Sequence, residues 1–256
     1  MTPKMRLQPQ IIVMSDPSEL AETAANIFTT TAKACVTQTN LFTVAISGGS
    51  TPRGMHKLLA EEPFRSDIPW NKTQIFWVDE RCVPVDDPAS NFGLARKDFL
   101  ERAPIPSGQI HPMPGQVAPE EGARKYQGEM EGFFQTVQEA FPAFDVIFLG
   151  MGEDGHTASL FPDRSSVVGS ERWVLVVKGG SPDVYRLTLT YDVLNRAKRI
   201  YFLVSGKGKA LIVKTVLENK DAGLPAQKIR PVQGELTWLL DREAASLLSG
   251  SLNPPP

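Results

Sequence analysis

Three short segments gather the residue types that can do chemistry, and each comes directly after an apolar run. The first is Ser47-Gly48-Gly49-Ser50-Thr51-Pro52. Its two glycines permit a tight turn and let backbone approach a ligand closely. Ser50 and Thr51 bring hydroxyl donors. Pro52 suits the first turn of a helix, where free N–H groups favour an anion. The segment predicts a phosphate cradle, with a plain strand-to-helix turn and Ser/Thr cap as the alternative. A nucleophile elbow on Ser47 competes, since Asp145 or Asp154 and then His156 follow in hydrolase order. Ala45 stands where that elbow needs its first glycine, and no glycine-rich oxyanion loop precedes it. The elbow is therefore set aside. No nucleotide P-loop occurs. Ser205-Gly206-Lys207-Gly208-Lys209 has glycines and lysines but no hydroxyl after the lysine. It offers an anion two ammonium groups, unless it is only a solvated helix start.

The second segment is Trp77-Val78-Asp79-Glu80-Arg81. Three charges directly after a buried run belong at the working edge of a sheet. Asp79 and Glu80 suit sugar hydroxyls or a proton, and Arg81 suits an anion or a developing oxyanion. A salt-bridged loop is the competing account. The third segment is Gly150-Met151-Gly152-Glu153-Asp154-Gly155-His156-Thr157. It contains G-x-G-x-x-G after a strand, the dinucleotide pattern. Pro162 follows too soon for a crossover helix, and Glu153 and Asp154 sit where a pyrophosphate would pass, so that reading is rejected. Histidine as a residue type can take and return a proton near neutral pH, so His156 suits a general base. Asp154, two residues earlier, is the candidate to orient it. A histidine that merely caps the turn from Thr157 to Phe161 remains open at this level. His56, on a helix beside lysine, and His111, among prolines, read as structural or solvated. Three scattered histidines with no Cys/His spacing predict no metal site.

Elements must hold these segments. Strands are expected at Gln10 to Met14, Phe42 to Ile46, Gln74 to Val78, Asp145 to Leu149, Trp173 to Val177, Arg199 to Val204 and Leu236 to Leu240. Helices are expected from Ser18 to Gln38, Pro52 to Glu61, Asn91 to Leu100, Pro119 to Ala140 and Lys207 to Asn219. Tyr185 to Arg196 is mixed. Apolar strands alternating with helices predict an α/β fold with a mostly parallel sheet. Ligands in such sheets sit at the carboxyl ends of the strands. Pro104 to Pro119 reads as a surface crossover, so all of 1–256 is expected to form a single domain.

The 256 residues are 41% hydrophobic and 22% charged, an ordinary globular balance. Net charge is −2, from 27 basic and 29 acidic residues, which lacks the footprint of a nucleic-acid binder. Cys35 and Cys82 are far apart and read as reduced, small, buried hydrophobes in a cytoplasmic protein. The first twenty residues offer no secretory signal, and no run is long enough to span a bilayer. The last residues, 253–256, read as a disordered tail.

Taken together, the segments resemble the 6-phosphogluconolactonase family, which is related to the glucosamine-6-phosphate deaminases. The marks are SGGSTP at Ser47–Pro52, VDER at Val78–Arg81 with Ser90-Asn91 following, and LGMGEDGHTASLFP at Leu149–Pro162. Arg186-Leu187-Thr188 and SGKGKA at Ser205–Ala210 add support. The resemblance covers about Ser47 to Leu240. It implies a modified Rossmann-like fold without a nucleotide site. It further implies hydrolysis of 6-phospho-D-glucono-1,5-lactone in the oxidative pentose phosphate pathway, without a cofactor. The partner is then a small sugar-phosphate lactone, with no nucleic acid and no membrane, and the oligomeric state stays open. Ser47, Gly48, Gly49, Ser50 and Thr51 would hold the phosphate, with positive charge from Arg186 and Lys209 and with Lys207 as a substitute. His156 matches the catalytic histidine, with Asp154 as its partner. Asp79, Glu80, Arg81, Asn91 and Gly152 complete the expected substrate contacts. A deaminase is the runner-up, but Thr157 to Pro162 lacks a carboxylate after the histidine. A non-catalytic sugar-phosphate sensor would lack His156 in its motif and carry a DNA-binding segment.

Overall fold

The computed structural model describes residues 9–134, 141–162 and 171–250. The expected tail at 253–256 and the last turns of the Pro119 to Ala140 helix lie outside them. The chain opens with strand β1, Gln10–Met14, and helix α1, Pro17–Thr39. Asp16 starts α1 by accepting from the Ser18 and Glu19 amides, and Asn40 stops it in a left-handed conformation at φ 60°. Strand β2, Phe42–Ile46, then leads into α2, Ser50–Leu59. The short helix α3, Phe64–Asp67, precedes β3, Thr73–Trp77.

These strands join β5 (Ile110–His111), β6 (Val146–Leu149), β9 (Arg199–Val204) and β10 (Glu235–Asp241). The seven form one parallel sheet in the order β1-β10-β9-β6-β2-β3-β5. Every residue of β2 and β6 is buried, as a sheet covered on both faces requires. Phe28 of α1 packs edge-on to Phe42 at 5.4 Å and stacks on Phe148 at 6.1 Å. Succession runs outward from β2 through β3 to β5, and in the other direction from β6 through β9 to β10. The carboxyl ends of β2 and β6 therefore flank the point where the strand order reverses.

A second sheet was not expected. Asp79–Arg81 is a strand, β4, not a loop, and it pairs antiparallel with β8, Val184–Leu189. The predicted strand at Trp173 to Val177 is β7, Val174–Gly179, and it pairs with β8 rather than joining the parallel sheet. The mixed stretch Tyr185 to Arg196 resolves into β8 and a one-turn helix α6, Tyr191–Leu194. The chain changes sheets at Val78, whose amide donates to Ile46 while its carbonyl accepts from Leu189. Just before it, the two-residue β5 is too short to pair with Trp77. Tyr126, on helix α5 (Pro119–Phe134), fills that gap. Its hydroxyl accepts from the Trp77 amide at 2.9 Å and donates to the Trp77 carbonyl at 3.0 Å.

The Asn91 to Leu100 helix is α4, Asn91–Ala95, continued by a π-helical turn, Arg96–Leu100. Lys207 to Asn219 divides into a 3₁₀ turn, Lys207–Lys209, and α7, Ala210–Glu218. A last short helix, α8, spans Arg242–Ala245. Both incidental histidines are buried, not solvated. His111 stacks on Phe76 at 4.2 Å between Glu129 and Gln74. His56 packs on Phe99, and burial pushes it down to about 4. Cys35 is buried as expected, but Cys82 is only half-buried; both are free thiols.

Candidate active site

A cleft of about 220 Å³ opens at the carboxyl ends of β2 and β6. This is the position that an open α/β sheet favours for a ligand. The loop after β2 forms one wall. Helix α2 is held by buried Met55 and Leu59, so its start is aimed at the cleft. The amides of Ser50 and Thr51 belong to its first turn and have no helical partner. Ser47 Oγ is buried and unpartnered among the described residues. Together these donors make a cradle for an anion. Gly48 is required by close packing, because a Cβ there would lie 1.9 Å from Asn91 Oδ1.

The second wall comes from the small sheet. Side chains alternate along a strand, so Asp79 and Arg81 of β4 face the cleft and Glu80 points away. Asp79 is held by Asn91 Nδ2 at 3.1 Å and by Ser159 Oγ at 2.7 Å. Glu80, expected to touch substrate, does not line the cleft. Its carboxylate accepts from the Arg81, Asn91 and Phe92 amides, each at 2.7 Å, and from Ser90 Oγ at 3.2 Å. It ties the start of α4 to β4 and so places Asn91. Burial pushes Glu80 up to about 7 in spite of those donors.

Arg81 stands directly opposite Arg186 in the β4–β8 register. Like charges in that position repel. Each is fixed by backbone carbonyls instead of a carboxylate. Arg81 Nη1 donates to Ala89 at 2.6 Å, and Arg186 Nε donates to Gly179 at 2.7 Å. Burial first, and then the Arg81 charge, pull Arg186 below the ordinary guanidinium value. A bound anion would relieve both costs. Lys209 also lines the cleft, while Lys207 does not, so the substitute role for Lys207 is not supported by its position. The turn carrying Lys209 is pinned by Asp241, which accepts from the Ser205 hydroxyl at 2.6 Å and the Gly206 amide at 3.0 Å.

His156 enters from the loop after β6. Its Nδ1 lies 2.5 Å from Asp154 Oδ1, and its amide donates to the same oxygen at 3.1 Å. The Gly152 amide closes the loop on the His156 carbonyl at 2.8 Å. A Cβ on Gly152 would lie 2.1 Å from His156 Nδ1, so only glycine leaves room for the ring. Burial works against the Asp154 carboxylate, but the His156 amide and imidazole outweigh it and hold the group below the usual carboxylate range. The elbow alternative fails on position. Asp145 lies at the amino end of β6, bonded to Thr43 and Lys198, and Ser47 Oγ has no basic partner. Among the described residues, no group of three or more His, Cys, Asp or Glu is placed to hold a metal.

Of the predicted contacts, Ser47, Gly48, Gly49, Ser50, Thr51, Asp79, Arg81, Asn91, Gly152, His156, Arg186 and Lys209 all line this one cleft. Asp154 stands behind His156, and Glu80 lies outside. The roles of Ser159, Ala158 and Phe161 were not anticipated. Their only signal was membership of the run after His156, where the partner of the Ser159 hydroxyl, Asp79, lies 80 residues away in sequence and Ala158 and Phe161 offer no polar group.

The family model described as glucosamine-6-phosphate isomerases/6-phosphogluconolactonase matches residues 15–238. The chain belongs to this family. A 6-phosphogluconolactonase of Synechocystis sp. is 41% identical over 246 residues, covering 94% of this chain and 99% of that one. One from Nostoc sp. is 38% identical, covering 93% and 97%. Among solved structures, 6-phosphogluconolactonase from Trypanosoma cruzi superposes with a TM-score of 0.84 at 29% identity, covering 96% of this chain and 98% of that one. A monomeric glucosamine-6-phosphate deaminase superposes with a TM-score of 0.79 at 23% identity, covering 93% and 99%, a likeness of fold alone. The family's α/β architecture is thus the one found here, and no helix among the described residues is long and apolar enough to cross a membrane.

Proposed function

We propose that the chain hydrolyses 6-phospho-D-glucono-1,5-lactone to 6-phospho-D-gluconate in the oxidative pentose phosphate pathway. It would work as one sugar-phosphate-binding domain in the cytoplasm. The observation that carries this is the sharing of one cleft by a carboxylate-backed imidazole and an anion cradle. The 6-phosphogluconolactonases at about 40% identity over nearly the whole chain name the substrate class. The two free thiols accord with a reducing compartment.

The phosphate is held by the start of α2, Ser47, Arg186 and Lys209. It is remote from C1, so its binding energy positions the ring. Asp154 accepts from Nδ1 of His156, which leaves the Nε2 lone pair to take a proton from the attacking water. As the C–O bond forms, charge builds on the carbonyl oxygen, where Arg81 or free backbone amides stabilise it. Protonated His156 then gives its proton to the ring oxygen as the C1–O bond breaks. Asp79 and Asn91 hold sugar hydroxyls. The reaction so written uses no cofactor. The deaminase alternative is disfavoured because Thr157 to Pro162 offers no carboxylate beside His156.

His156→Ala should lower kcat roughly 10²- to 10⁴-fold, the usual worth of general acid–base help. The measurement is acid release from the lactone after subtraction of the spontaneous rate. Near-normal turnover would remove His156 from the mechanism. Ammonia release from glucosamine 6-phosphate by the wild-type chain would favour the deaminase.

A further inference from the structure

Phe161 touches both halves of the cleft's chemistry. Its ring centroid lies 4.9 Å from that of His156, tilted by 47°. The guanidinium carbon of Arg186 lies over the same ring, 5.6 Å from its centroid. The preceding turn is fixed at several points. Thr157 and Leu160 form an isolated bridge, and Thr157 Oγ1 donates to the Gly150 carbonyl at 2.9 Å. The Ser159 hydroxyl donates to Asp79 at 2.7 Å, and the Ser159 amide to Thr188 Oγ1 at 3.2 Å. Between them Ala158 takes a left-handed φ of 49°, a conformation that a residue with a Cβ adopts only when its surroundings impose it. Room for the ring comes from Gly180. A Cβ there would lie 3.0 Å from Phe161 Cζ and 2.4 Å from Arg186 Nη2.

An aromatic face attracts a guanidinium, and more so when both are withdrawn from water. Arg186 is 3% exposed, faces Arg81, and makes no ion pair among the described residues. The ring is thus a favourable partner for its charge and a rigid, tilted stop for the imidazole. We propose that Phe161 is a positioning residue for lactone hydrolysis, packing against His156 and beneath Arg186 so that the proton-transfer nitrogen and the phosphate-holding charge keep a constant separation. This rests on the hydrolase reading above.

Two replacements in the full chain separate shape from charge. Phe161→Leu removes both the flat face and the quadrupole. Pentafluorophenylalanine at position 161 keeps the ring shape but reverses the quadrupole. Each is assayed with the phosphorylated lactone, with unphosphorylated D-glucono-1,5-lactone, and with inorganic phosphate as competing ligand. Phe161→Leu should raise KM for the phosphorylated lactone and Ki for phosphate together, by about 5-fold. It should also lower kcat on both lactones, by about 10-fold. The fluorinated ring should raise KM and Ki alike but leave kcat near wild type. Leucine behaving as phenylalanine in all three constants would overturn the proposal. So would a loss proportional only to the folded fraction read by circular dichroism, or an unchanged phosphate Ki with the fluorinated ring. Failure of the hydrolase reading looks different, because the wild-type chain would then leave the lactone at its spontaneous rate.

Discussion

The Nδ1 of His156 lies 2.5 Å from a carboxylate oxygen, so a neutral imidazole carries its proton there and keeps its lone pair on Nε2. Asp154→Asn presents an amide that either donates to Nδ1, selecting the wrong tautomer, or accepts from it without charge to stabilise the imidazolium. We expect kcat to fall roughly 10- to 100-fold, less than for His156→Ala, with phosphate Ki unchanged. A variant with wild-type kcat would make the carboxylate incidental. The Asp154 carboxyl is depressed. The stability it lends is therefore present above its unfolded value and is lost as pH falls through the lower folded one. Near neutral pH the carboxylate is in place. Gly152→Ala is a second test at this scale. Its Cβ would strike the His156 ring, so turnover should collapse while phosphate still binds, measured as Ki in the same assay.

Two connections between elements set the cleft's shape. Tyr126 of α5 takes over the hydrogen bonds of Trp77 where β5 stops short. Tyr126→Phe leaves that amide and carbonyl buried and unpaired, and should cost about 1–3 kcal/mol in a denaturant titration. A cost near zero would show that the gap closes by itself. Glu80 joins β4 to α4, and its folded value of about 7 exceeds the ordinary 4.5. The unfolded chain then releases this proton first as pH rises, so this group's contribution to stability falls between those two values. Glu80→Gln should flatten the dependence of Tm on pH over that window. An unchanged slope would locate the titration elsewhere.

Across the whole molecule, the parallel sheet supplies the cradle and His156, and the antiparallel sheet supplies Asp79, Arg81 and Arg186. A ligand that fills the cleft neutralises the facing arginines. At about 100 times its Kd it should add about 2.7 kcal/mol of stability. The check is the Tm of the wild-type chain with and without 6-phosphogluconate. Arg186→Met should shrink the shift, since it removes one of the charges that hold the phosphate. A shift of undiminished size would place the phosphate elsewhere. Six of the seven parallel strands, the glycine-rich loop after β2, the candidate base and the family were legible in the sequence, because each is written in a local run of residues; the two-residue β5, inside the proline-rich crossover, was not. Apolar runs announce buried strands, and Gly, Ser and His declare their chemistry in place. The three-dimensional arrangement was needed to show that Asp79–Arg81 is a strand, that Glu80 faces away from the cleft, that Lys209 and not Lys207 reaches it, and that Phe161 contacts both His156 and Arg186. The first two outcomes depend on pairing with β8, about a hundred residues further along the chain, and the third on the turn that Asp241 pins. A shift of one residue in that register would exchange the two faces of β4 and put Glu80 where Asp79 and Arg81 now stand.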